Sequence, residues 1–273
     1  MTRRYKIGDV CALVGIPHHV LRFYEKYGII QPARGKGNYR YYFETDLYRL
    51  VMARSYRGMG FGLRQCKELM DEMDAPERAK ALTDQLTGVR AEIDRLRRLE
   101  DNLHRRIQDM SDAECPERGC FRAYMGAAYW VFSHDQERRV DPGRLDAKLL
   151  RRVMEPVLAP NMDAHVPVRE LLGEGAMTYA WGQSFHQMDC DLLEPDDLAR
   201  MRFVPGREYV VCAMPPEMPD GRLVRAQFAP QLAYARSHGL TVGDTAIARI
   251  VGGGRKGQTV AGMRLLCYLP VAE

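Results

Sequence analysis

Two short patterns in the sequence could carry catalytic chemistry. Residues 182–186 (GQSFH) have the first three residues of a nucleophile elbow, the turn that exposes a catalytic serine, but lack its closing glycine. Residues 252–257 (GGGRKG) are glycine-rich and basic, but they lack the Gly-Lys-Ser/Thr ending of a phosphate-binding loop. The second pattern is better interpreted as a hairpin connection between two strands. The sequence therefore favours a protein that is not an enzyme.

A pair of cysteines forms a third pattern. Two thiolates at the spacing of Cys115 and Cys120 could bind a soft metal ion or sense oxidation. A tetrahedral site needs about four ligands, however, and only His104 lies near them in sequence. The seven cysteines of the chain lack the spacing of a disulfide framework, which favours a reducing compartment. A metal or thiol-redox sensor is thus an alternative function, and we predict no bound cofactor.

The charge is distributed unevenly along the 273 residues. The formal net charge is +4, but residues 1–70 hold 13 Lys and Arg against 5 Asp and Glu, which gives +8 there and −4 in the remainder. A basic end on a mildly acidic body is typical of a nucleic-acid-binding domain joined to a domain of another kind. Because no apolar run approaches ~18 residues and no secretory signal is evident, we expect a cytoplasmic protein without a membrane partner.

The basic end has the pattern of a winged helix-turn-helix. Four apolar residues recur at the spacing of one helix face: Ile7, Val10, Cys11 and Val14. The break at residues 15–17 (GIP) predicts a second helix from Pro17 to about Tyr27. A glycine-rich loop over 31–38, flanked by β-prone runs at 29–30 and 39–43, predicts a hairpin wing. Two further helices are predicted over 44–57 and 63–73.

A long helix is predicted over residues 76–110, which contain no internal proline after Pro76 and only one glycine. Apolar residues follow alternating spacings of four and three, with Glu100 as the one interruption. They are Leu82, Leu86, Val89, Ile93, Leu96, Leu103, Ile107 and Met110. This seam is typical of a coiled coil and needs a partner, so we expect a homodimer. Packing of the seam against the C-terminal part of the same chain is the alternative.

The C-terminal part has an α+β pattern. Strands are predicted at 121–132, 168–172, 177–185, 208–214, 245–251 and 263–271, and helices at 145–157 and 223–237. The order is strand, helix, strand, strand, twice, which predicts a duplicated βαββ domain with a cleft between its halves. The chain then divides into a winged helix-turn-helix over 1–74, a dimerisation helix over 75–111 and a third domain over 116–273.

The N-terminal motifs resemble those of the MerR family of winged-helix transcription regulators. The motifs are YKIGDV at 5–10, LRFYEKYG at 21–28, NYRYY at 38–42 and GFGL at 60–63. The resemblance implies a homodimer on a palindromic promoter in double-stranded DNA, joined by an antiparallel pair of long helices. It also implies that effector binding distorts an over-long promoter spacer, so that RNA polymerase is affected indirectly, through the DNA.

Specific residues are expected to contact DNA. The second helix of a helix-turn-helix lies in the major groove, and His18, His19 and Arg22 fall in its N-terminal part. Arg22 is the best candidate for reading a base, because its guanidinium matches the paired acceptors of guanine. Many relatives have Tyr-Tyr where Phe23 and Tyr24 stand, and for Tyr24 core packing is the alternative. Phosphate contacts are expected from the wing residues Lys36, Tyr39, Arg40 and Tyr41.

The C-terminal motifs resemble the gyrase-inhibitor-like effector domain of multidrug-sensing MerR relatives. The motifs are REYVVC at 207–212, QLAYAR at 231–236 and LPVAE at 269–273. The resemblance implies an aromatic pocket for a bulky small-molecule effector, and because some relatives of this domain are similar to small hydrolases, hydrolysis is a second alternative. The aromatic candidates for ligand contact are Tyr129, Trp130, Tyr179, Trp181, Phe185 and Tyr209. For each of them, ordinary core packing is the alternative.

One position departs from the drug-sensing pattern. Relatives have a glutamate in the strand after the Gly-Asp turn, where it neutralises a cationic ligand, but Ile247 occupies the equivalent position here. Glu174, Asp189 or Glu208 could substitute, although the spacing selects none of them. We therefore expect a neutral or anionic effector at least as readily as a cationic one.

Overall fold

The computed structural model describes residues 3–135, 147–153, 160–214, 222–252 and 264–272. The chain forms two compact units, Met1–Asp94 and Arg95–Glu273. Among the described residues, no helix is both long enough and apolar enough to cross a membrane.

The N-terminal unit begins with the predicted helix-turn-helix. Helix α1 spans Ile7–Val14 and ends at Gly15, whose φ of 66° is in the left-handed region that glycine adopts without strain. Helix α2 spans His18–Lys26 and follows Pro17 directly. The Arg54 guanidinium donates a hydrogen bond to the carbonyl oxygen of Val14, which satisfies a free acceptor at the end of α1.

A short wing follows α2. Strands β1 (Ala33–Arg34) and β2 (Arg40–Tyr41) pair antiparallel across a turn that includes Lys36–Asn38. Gly35 permits the tight approach of this wing, since a Cβ there would lie 2.5 Å from the Tyr41 ring. Ile29 and Ile30 do not form the predicted flanking strand. Both are almost fully buried, because their side chains fill the core of the unit.

Three helices complete the N-terminal half of the chain. Helices α3 (Glu44–Gly58) and α4 (Leu63–Asp71) close a core that also contains Leu21 and Tyr42. Helix α5 runs without interruption from Ala75 to Glu114, a length of 40 residues. It therefore extends through the whole of the predicted coiled-coil segment and a few residues beyond.

The C-terminal unit is built on one antiparallel sheet of eight strands. The strands are β3 (Phe121–Met125), β4 (Ala128–Asp135), β5 (Asn161–Pro167), β6 (Ala180–His186), β7 (Arg202–Val204), β8 (Arg207–Met214), β9 (Thr245–Gly252) and β10 (Arg264–Pro270). Their order across the sheet is β3-β8-β10-β9-β5-β6-β4-β7. The described helices are α6 (Ala147–Val153), α7 (Val168–Leu172), α8 (Pro195–Ala199) and α9 (Ala229–Ser237).

The duplicated βαββ pattern is confirmed. The first half is β4-α6-β5-β6 and the second is β8-α9-β9-β10, and each half places its third strand between the other two. The two halves join into one continuous sheet, because β5 pairs directly with β9.

Three predicted elements of this unit need correction. The single strand at 121–132 is two strands that turn at Gly126, where a Cβ would collide with the His186 ring. The strand at 168–172 is helix α7, because Pro167 precedes it and Val168 and Leu171 bury one helical face. Strand β5 was not predicted, because the polar Asp163 and His165 interrupt its apolar pattern.

Two predicted helices and one loop also differ in extent. The helix predicted at 223–237 begins as a 3-10 turn over Arg225–Phe228 and continues as α9. The helix predicted at 145–157 is described only over α6. The hairpin connection at 252–257 lies outside the described residues beyond Gly252.

The two faces of the sheet bury different groups. One face packs Val210, Ala248 and Cys267 into a core that includes Phe228 and Ala235 of the 3-10 turn and α9. The opposite face packs Tyr209, Val211 and Leu266 against Ala113 near the end of α5, and we call it the α5 face. Since side chains alternate along a strand, Thr245, Ile247 and Arg249 of β9 all belong to the α5 face.

Candidate DNA-binding surface and effector site

The N-terminal half of α2 presents the side chains predicted to read DNA. His18, His19, Arg22 and Phe23 are exposed, while Leu21 between them is buried and anchors the helix to the core. Tyr24 is only 5% exposed and lies in the core, so the structure corrects its assignment as a surface contact. Burial also raises the pKa of the Tyr24 hydroxyl. Arg22, the arginine of α2, is exposed on this surface.

The wing presents a second exposed surface. Tyr39 is 70% exposed, Tyr41 is half-buried over Gly35, and Lys36 lies in the turn between the two strands. Arg40 is less free than predicted, because its Nε lies 3.0 Å from a Glu25 carboxylate oxygen. The Tyr42 hydroxyl donates to the same carboxylate at 2.6 Å. Glu25 therefore ties the wing to α2 and positions Arg40 between the two surfaces.

The seam of α5 is exposed in the single chain. From Leu86 to Met110, its seven apolar side chains are 42–63% exposed, and only Leu82, at the start, packs on the N-terminal core. The alternative in which this seam packs on the C-terminal part of its own chain is wrong for Leu103, Ile107 and Met110, which lie beside the sheet yet remain exposed. A different face of the helix contacts the sheet.

That other face of α5 forms one wall of a cleft of about 240 Å³. Asn102, Arg105 and Asp109 line it from the helix, at the i, i+3 and i+7 spacing of one helical face. Ser184, Arg249 and Tyr268 line it from the α5 face of the sheet. The lining combines charged and apolar side chains, whereas the sequence suggested a mainly aromatic pocket.

A buried ion pair forms the floor of this cleft. The Arg249 guanidinium donates two hydrogen bonds of 3.0 Å to the two carboxylate oxygens of Asp163, and these residues are 8% and 1% exposed. The Ser184 hydroxyl also donates to Asp163. Burial opposes ionisation of Asp163, but the charge and hydrogen bonds of Arg249 outweigh it and hold the pKa of Asp163 below its ordinary value.

Asp109 connects this pair to α5. Its carboxylate lies 3.4 Å from Arg249 Nη1 and accepts a hydrogen bond of 3.4 Å from the Tyr268 hydroxyl. Burial raises the pKa of Asp109, and Arg249 offsets this only in part. One guanidinium therefore serves two carboxylates, of which Asp109 is the more weakly held.

A second ion pair lies at the other end of the cleft. Arg105 Nη2 lies 3.1 Å from Asp189 Oδ2, and Asp189 Oδ1 accepts a hydrogen bond of 3.3 Å from Asn102 Nδ2. Burial raises the pKa of Asp189. Of the three acidic residues considered as substitutes for the missing glutamate, Asp189 lines the cleft, Glu208 pairs with Arg122, and Glu174 is exposed.

The predicted ligand-contacting aromatics do not converge on one pocket. Tyr179 and Trp181 lie in the core on the α9 side of the sheet, and the Tyr179 hydroxyl accepts a hydrogen bond of 3.1 Å from the Leu223 amide. Phe185 lies in a separate core, with the half-buried Tyr129 packed against it. None of the seven predicted ligand residues lines the cleft.

The other three predicted ligand residues lie on the α5 face. Trp130 stacks on His165 with ring centroids 4.4 Å apart. Tyr209 and Ile247 line a smaller cavity of about 100 Å³, together with His165. The aromatics that do line the large cleft are Phe121, Tyr124 and Tyr268, which sequence reasoning missed. The sequence signal that could have found the site was Arg249, a charged residue inside the otherwise apolar strand 245–251.

The two cysteines and Ser184 differ in their exposure. Cys115 is exposed at the end of α5, and Cys120 is half-buried beside Cys212, where burial raises the pKa of the Cys120 thiol to about 12. Within the described ranges, no group of three or more His, Cys, Asp or Glu could hold a metal ion. Ser184 is buried inside β6 rather than on a nucleophile elbow, and Gly182 provides room for the Trp130 ring.

Comparisons with known proteins concern mainly the DNA-binding part. Residues 5–73 match the family described as "MerR HTH family regulatory protein". The HTH-type transcriptional regulator HmrR of Rhizobium leguminosarum bv. viciae is 32% identical over 108 residues, which cover 39% of this chain and 84% of that protein. A probable heavy metal-dependent transcriptional regulator of Haemophilus influenzae is 36% identical over 118 residues, which cover 40% and 92%.

A solved structure resembles the whole chain at low similarity. The EcmrR–DNA complex, determined by cryo-electron microscopy, covers 98% of this chain and 99% of its own, with 16% identity and a TM-score of 0.37. That score is too low to support a conclusion about function.

Proposed function

The chain belongs to the MerR family of helix-turn-helix regulatory proteins and is a DNA-binding transcription regulator, and from this premise we propose that it acts as an effector-controlled homodimer. Each winged helix would bind one half-site of a palindromic promoter, and the two α5 helices would pair through their apolar seams. A small molecule in the C-terminal cleft would control the spacing of the promoter, and thereby RNA polymerase. Because such a regulator acts on chromosomal DNA, the predicted cytoplasmic location is part of this proposal.

The observation that carries the proposal is the double use of α5. One face of this continuous helix exposes the dimerisation seam, and the adjacent face forms the wall of the cleft through Asn102, Arg105 and Asp109. A ligand that binds Asp109 would replace its contacts with Arg249 and Tyr268, and this would change the position of the last turns of α5 on the sheet. Effector binding and dimer geometry are thus properties of one helix.

The side chains that line the cleft limit the chemical class of the effector. A pocket with two ion pairs and only three aromatic rings favours a polar compound with an aromatic part over a purely apolar one. A neutral or zwitterionic molecule can exchange hydrogen bonds with Asp109 and Asp189 without leaving either charge unpaired.

Replacing Arg22 with alanine tests the DNA-binding surface. We expect Arg22→Ala to weaken binding to the specific operator by about 1–3 kcal/mol and to leave binding to unrelated duplex DNA almost unchanged, because a base-reading contact is lost. Fluorescence anisotropy of labelled duplexes measures both affinities. The matched control is Lys26→Ala, an exposed cation at the far end of α2.

Two features of the same titration could contradict the assignment. Wild-type affinity should fall steeply with added salt, because binding to phosphates releases counterions. An affinity that ignores ionic strength, or an equal loss for both variants on both duplexes, would speak against base reading by Arg22.

Intrinsic fluorescence tests the effector cleft. The two tryptophans of the chain, Trp130 and Trp181, both lie in the C-terminal unit, so a ligand screen by tryptophan emission reports on that unit alone. We expect a polar aromatic compound to change the emission of the wild type and to bind more weakly to Asp109→Asn. Responses that are identical in the two proteins would place the effector elsewhere.

The metal or redox alternative and the hydrolase alternative have direct tests. If Cys115→Ser with Cys120→Ser abolished the response of the promoter to its inducer, thiol chemistry would replace the small-molecule mechanism. If the protein hydrolysed an effector instead of binding it unchanged, the result would support the hydrolase alternative. We expect neither result, since the pKa of the half-buried Cys120 thiol is raised to about 12 and Ser184 is enclosed in β6.

A further inference from the structure

The small cavity on the α5 face contains a buried histidine without a hydrogen-bond partner. His165 is 5% exposed, and neither ring nitrogen has a partner among the described residues. Buried polar groups in folded proteins are nearly always hydrogen-bonded, because an unmade bond costs free energy. A buried imidazole that lines a cavity is therefore suited to a partner that comes from outside the chain.

The ring of His165 is fixed in place although its nitrogens are free. Trp130 stacks on it nearly parallel, at 18° between the ring planes and 4.4 Å between centroids. Burial is the main cause that lowers the pKa of His165, to about 4, so the imidazole is neutral at physiological pH. In that state one nitrogen donates a hydrogen bond and the other accepts one.

The charged residues around this cavity favour an anion. Arg202 and Arg207 line it together with one acidic residue, Asp244, which leaves a net charge of +1. Arg202 is positioned by a hydrogen bond of 3.2 Å from its Nη2 to the Thr245 hydroxyl. Guanidinium groups bind carboxylates and phosphates through paired hydrogen bonds, but the single surplus charge here matches a monoanion.

The size of the cavity limits what can enter. Its volume of about 100 Å³ is less than half of the 240 Å³ of the cleft beside α5, which favours a carboxylate with a short substituent. Tyr209 and Ile247 supply an apolar wall at the inner side. A small polar head beside apolar side chains is the chemistry of a short organic acid.

We propose that the cavity of His165, Arg202 and Arg207 is a binding site for a small monocarboxylate. The two guanidinium groups hold the carboxylate, and the N–H of His165 donates to it from the buried end. This site goes beyond the regulator function proposed above, which requires no particular ligand in this cavity. Its position on the same sheet face as the large cleft makes it a second, separate input to the domain.

Acetate binding to the full-length protein tests the proposal. Sodium acetate is titrated at neutral pH, with sodium chloride holding the ionic strength constant, and binding is followed by calorimetry and by tryptophan emission. We expect saturable binding that changes the emission of Trp130, because this ring stacks on His165. The emission change should vanish in Trp130→Phe.

Three variants locate the site. Arg202→Gln removes an exposed cation at the cavity, and His165→Phe keeps a flat ring against Trp130 but removes both nitrogens; each is expected to weaken acetate binding at least about tenfold. Arg236→Gln removes an equal charge from an exposed position on α9 and is expected to bind acetate like the wild type. If His165→Phe failed to fold, Arg202→Gln would still decide, since its side chain is exposed.

Several outcomes would overturn the proposal. The absence of saturable acetate binding, or equal weakening in Arg202→Gln and Arg236→Gln, would remove the site. Tighter binding of inorganic phosphate than of acetate would contradict the monocarboxylate class. Because operator binding and dimerisation are measured separately, any of these results overturns this proposal and leaves the proposed function standing.

Discussion

Two aspartates placed in the α5 seam are expected to abolish the dimer and most of the DNA binding. Val89→Asp together with Ile93→Asp introduces two charges where the structure exposes two apolar side chains on one helix face. A dimer that pairs these seams would have to bury four carboxylates, and each unpaired buried charge costs several kcal/mol. The protein should therefore sediment as a monomer.

Loss of the dimer should lower operator affinity more than the removal of any single protein–DNA contact. A dimer binds two half-sites as one particle, and a monomer loses the second half-site together with its phosphate contacts. We expect operator affinity to fall at least about 100-fold, measured by anisotropy on the intact operator. Binding to a single half-site should change little, because the winged helix itself is untouched.

A matched control separates the seam from helix propensity. Thr87→Asp together with Ala91→Asp places the same two charges at the same spacing, on exposed positions that are two residues away and face the other side of α5. This control should remain a dimer with wild-type affinity. If both double variants were dimeric, the seam would not be the interface, and the proposed assembly would be wrong.

The second large effect is expected at the floor of the cleft. Asp163→Ala leaves the buried Arg249 guanidinium without its bidentate partner, and removing one partner of a buried ion pair costs about 3–5 kcal/mol. Urea unfolding followed by tryptophan emission measures this loss in the C-terminal unit, where both tryptophans lie. Glu208→Ala breaks the exposed pair with Arg122 and should change the unfolding midpoint little.

A double variant distinguishes the buried charge from lost packing. Asp163→Ala with Arg249→Met removes both charges and replaces the guanidinium with an apolar chain, so it should be more stable than Asp163→Ala alone. If the double variant were less stable than the single one, the cost would come from packing or from the loss of Arg249 beside Asp109, and not from an unpaired Arg249.

Asp163 and Asp109 should change the stability of the C-terminal unit in opposite directions as the pH falls. Because the folded state lowers the pKa of Asp163, the stability from its pair with Arg249 is present above the ordinary pKa of 3.8 and is lost as the pH falls through the lower, folded value. The pKa of Asp109 is raised, so folding favours its protonated form. As the pH falls through the raised value, Asp109 takes up a proton, and the free-energy cost of burying its charge disappears. Asp163→Ala should remove the first contribution and keep the second.

Sequence periodicity predicted the N-terminal half well for a physical reason. The apolar residues of α1 and of the α5 seam recur at helical spacing. Each helix therefore depends only on the local order of residues along one of its faces, which the sequence shows directly. Ile29 and Ile30 were misassigned, because two adjacent β-branched residues satisfy a core loop as well as a strand.

The C-terminal site was harder to predict because it depends on contacts between distant residues. Asp163 and Arg249 are 86 residues apart in sequence and meet only because β5 pairs with β9. Aromatic content suggested a pocket at Trp130 and Trp181, but these rings face opposite sides of the sheet: Trp130 stacks on His165, and Trp181 packs in the core beside α9. Which face a strand residue occupies cannot be read from residue type alone.

The pairing of β5 with β9 relates the two cavities on the α5 face by symmetry. A local two-fold axis through the Ala164–Ala248 pair exchanges Asp163 with Ile247 and His165 with Arg249, since each pair flanks the axis at equal distance. The same strand pair therefore holds a salt bridge, Asp163 with Arg249, on one side of the axis and an imidazole without a hydrogen-bond partner, His165, on the other. Two positions that the backbone makes equivalent thus present opposite chemistry: one is internally neutralised, and the other is open to a partner.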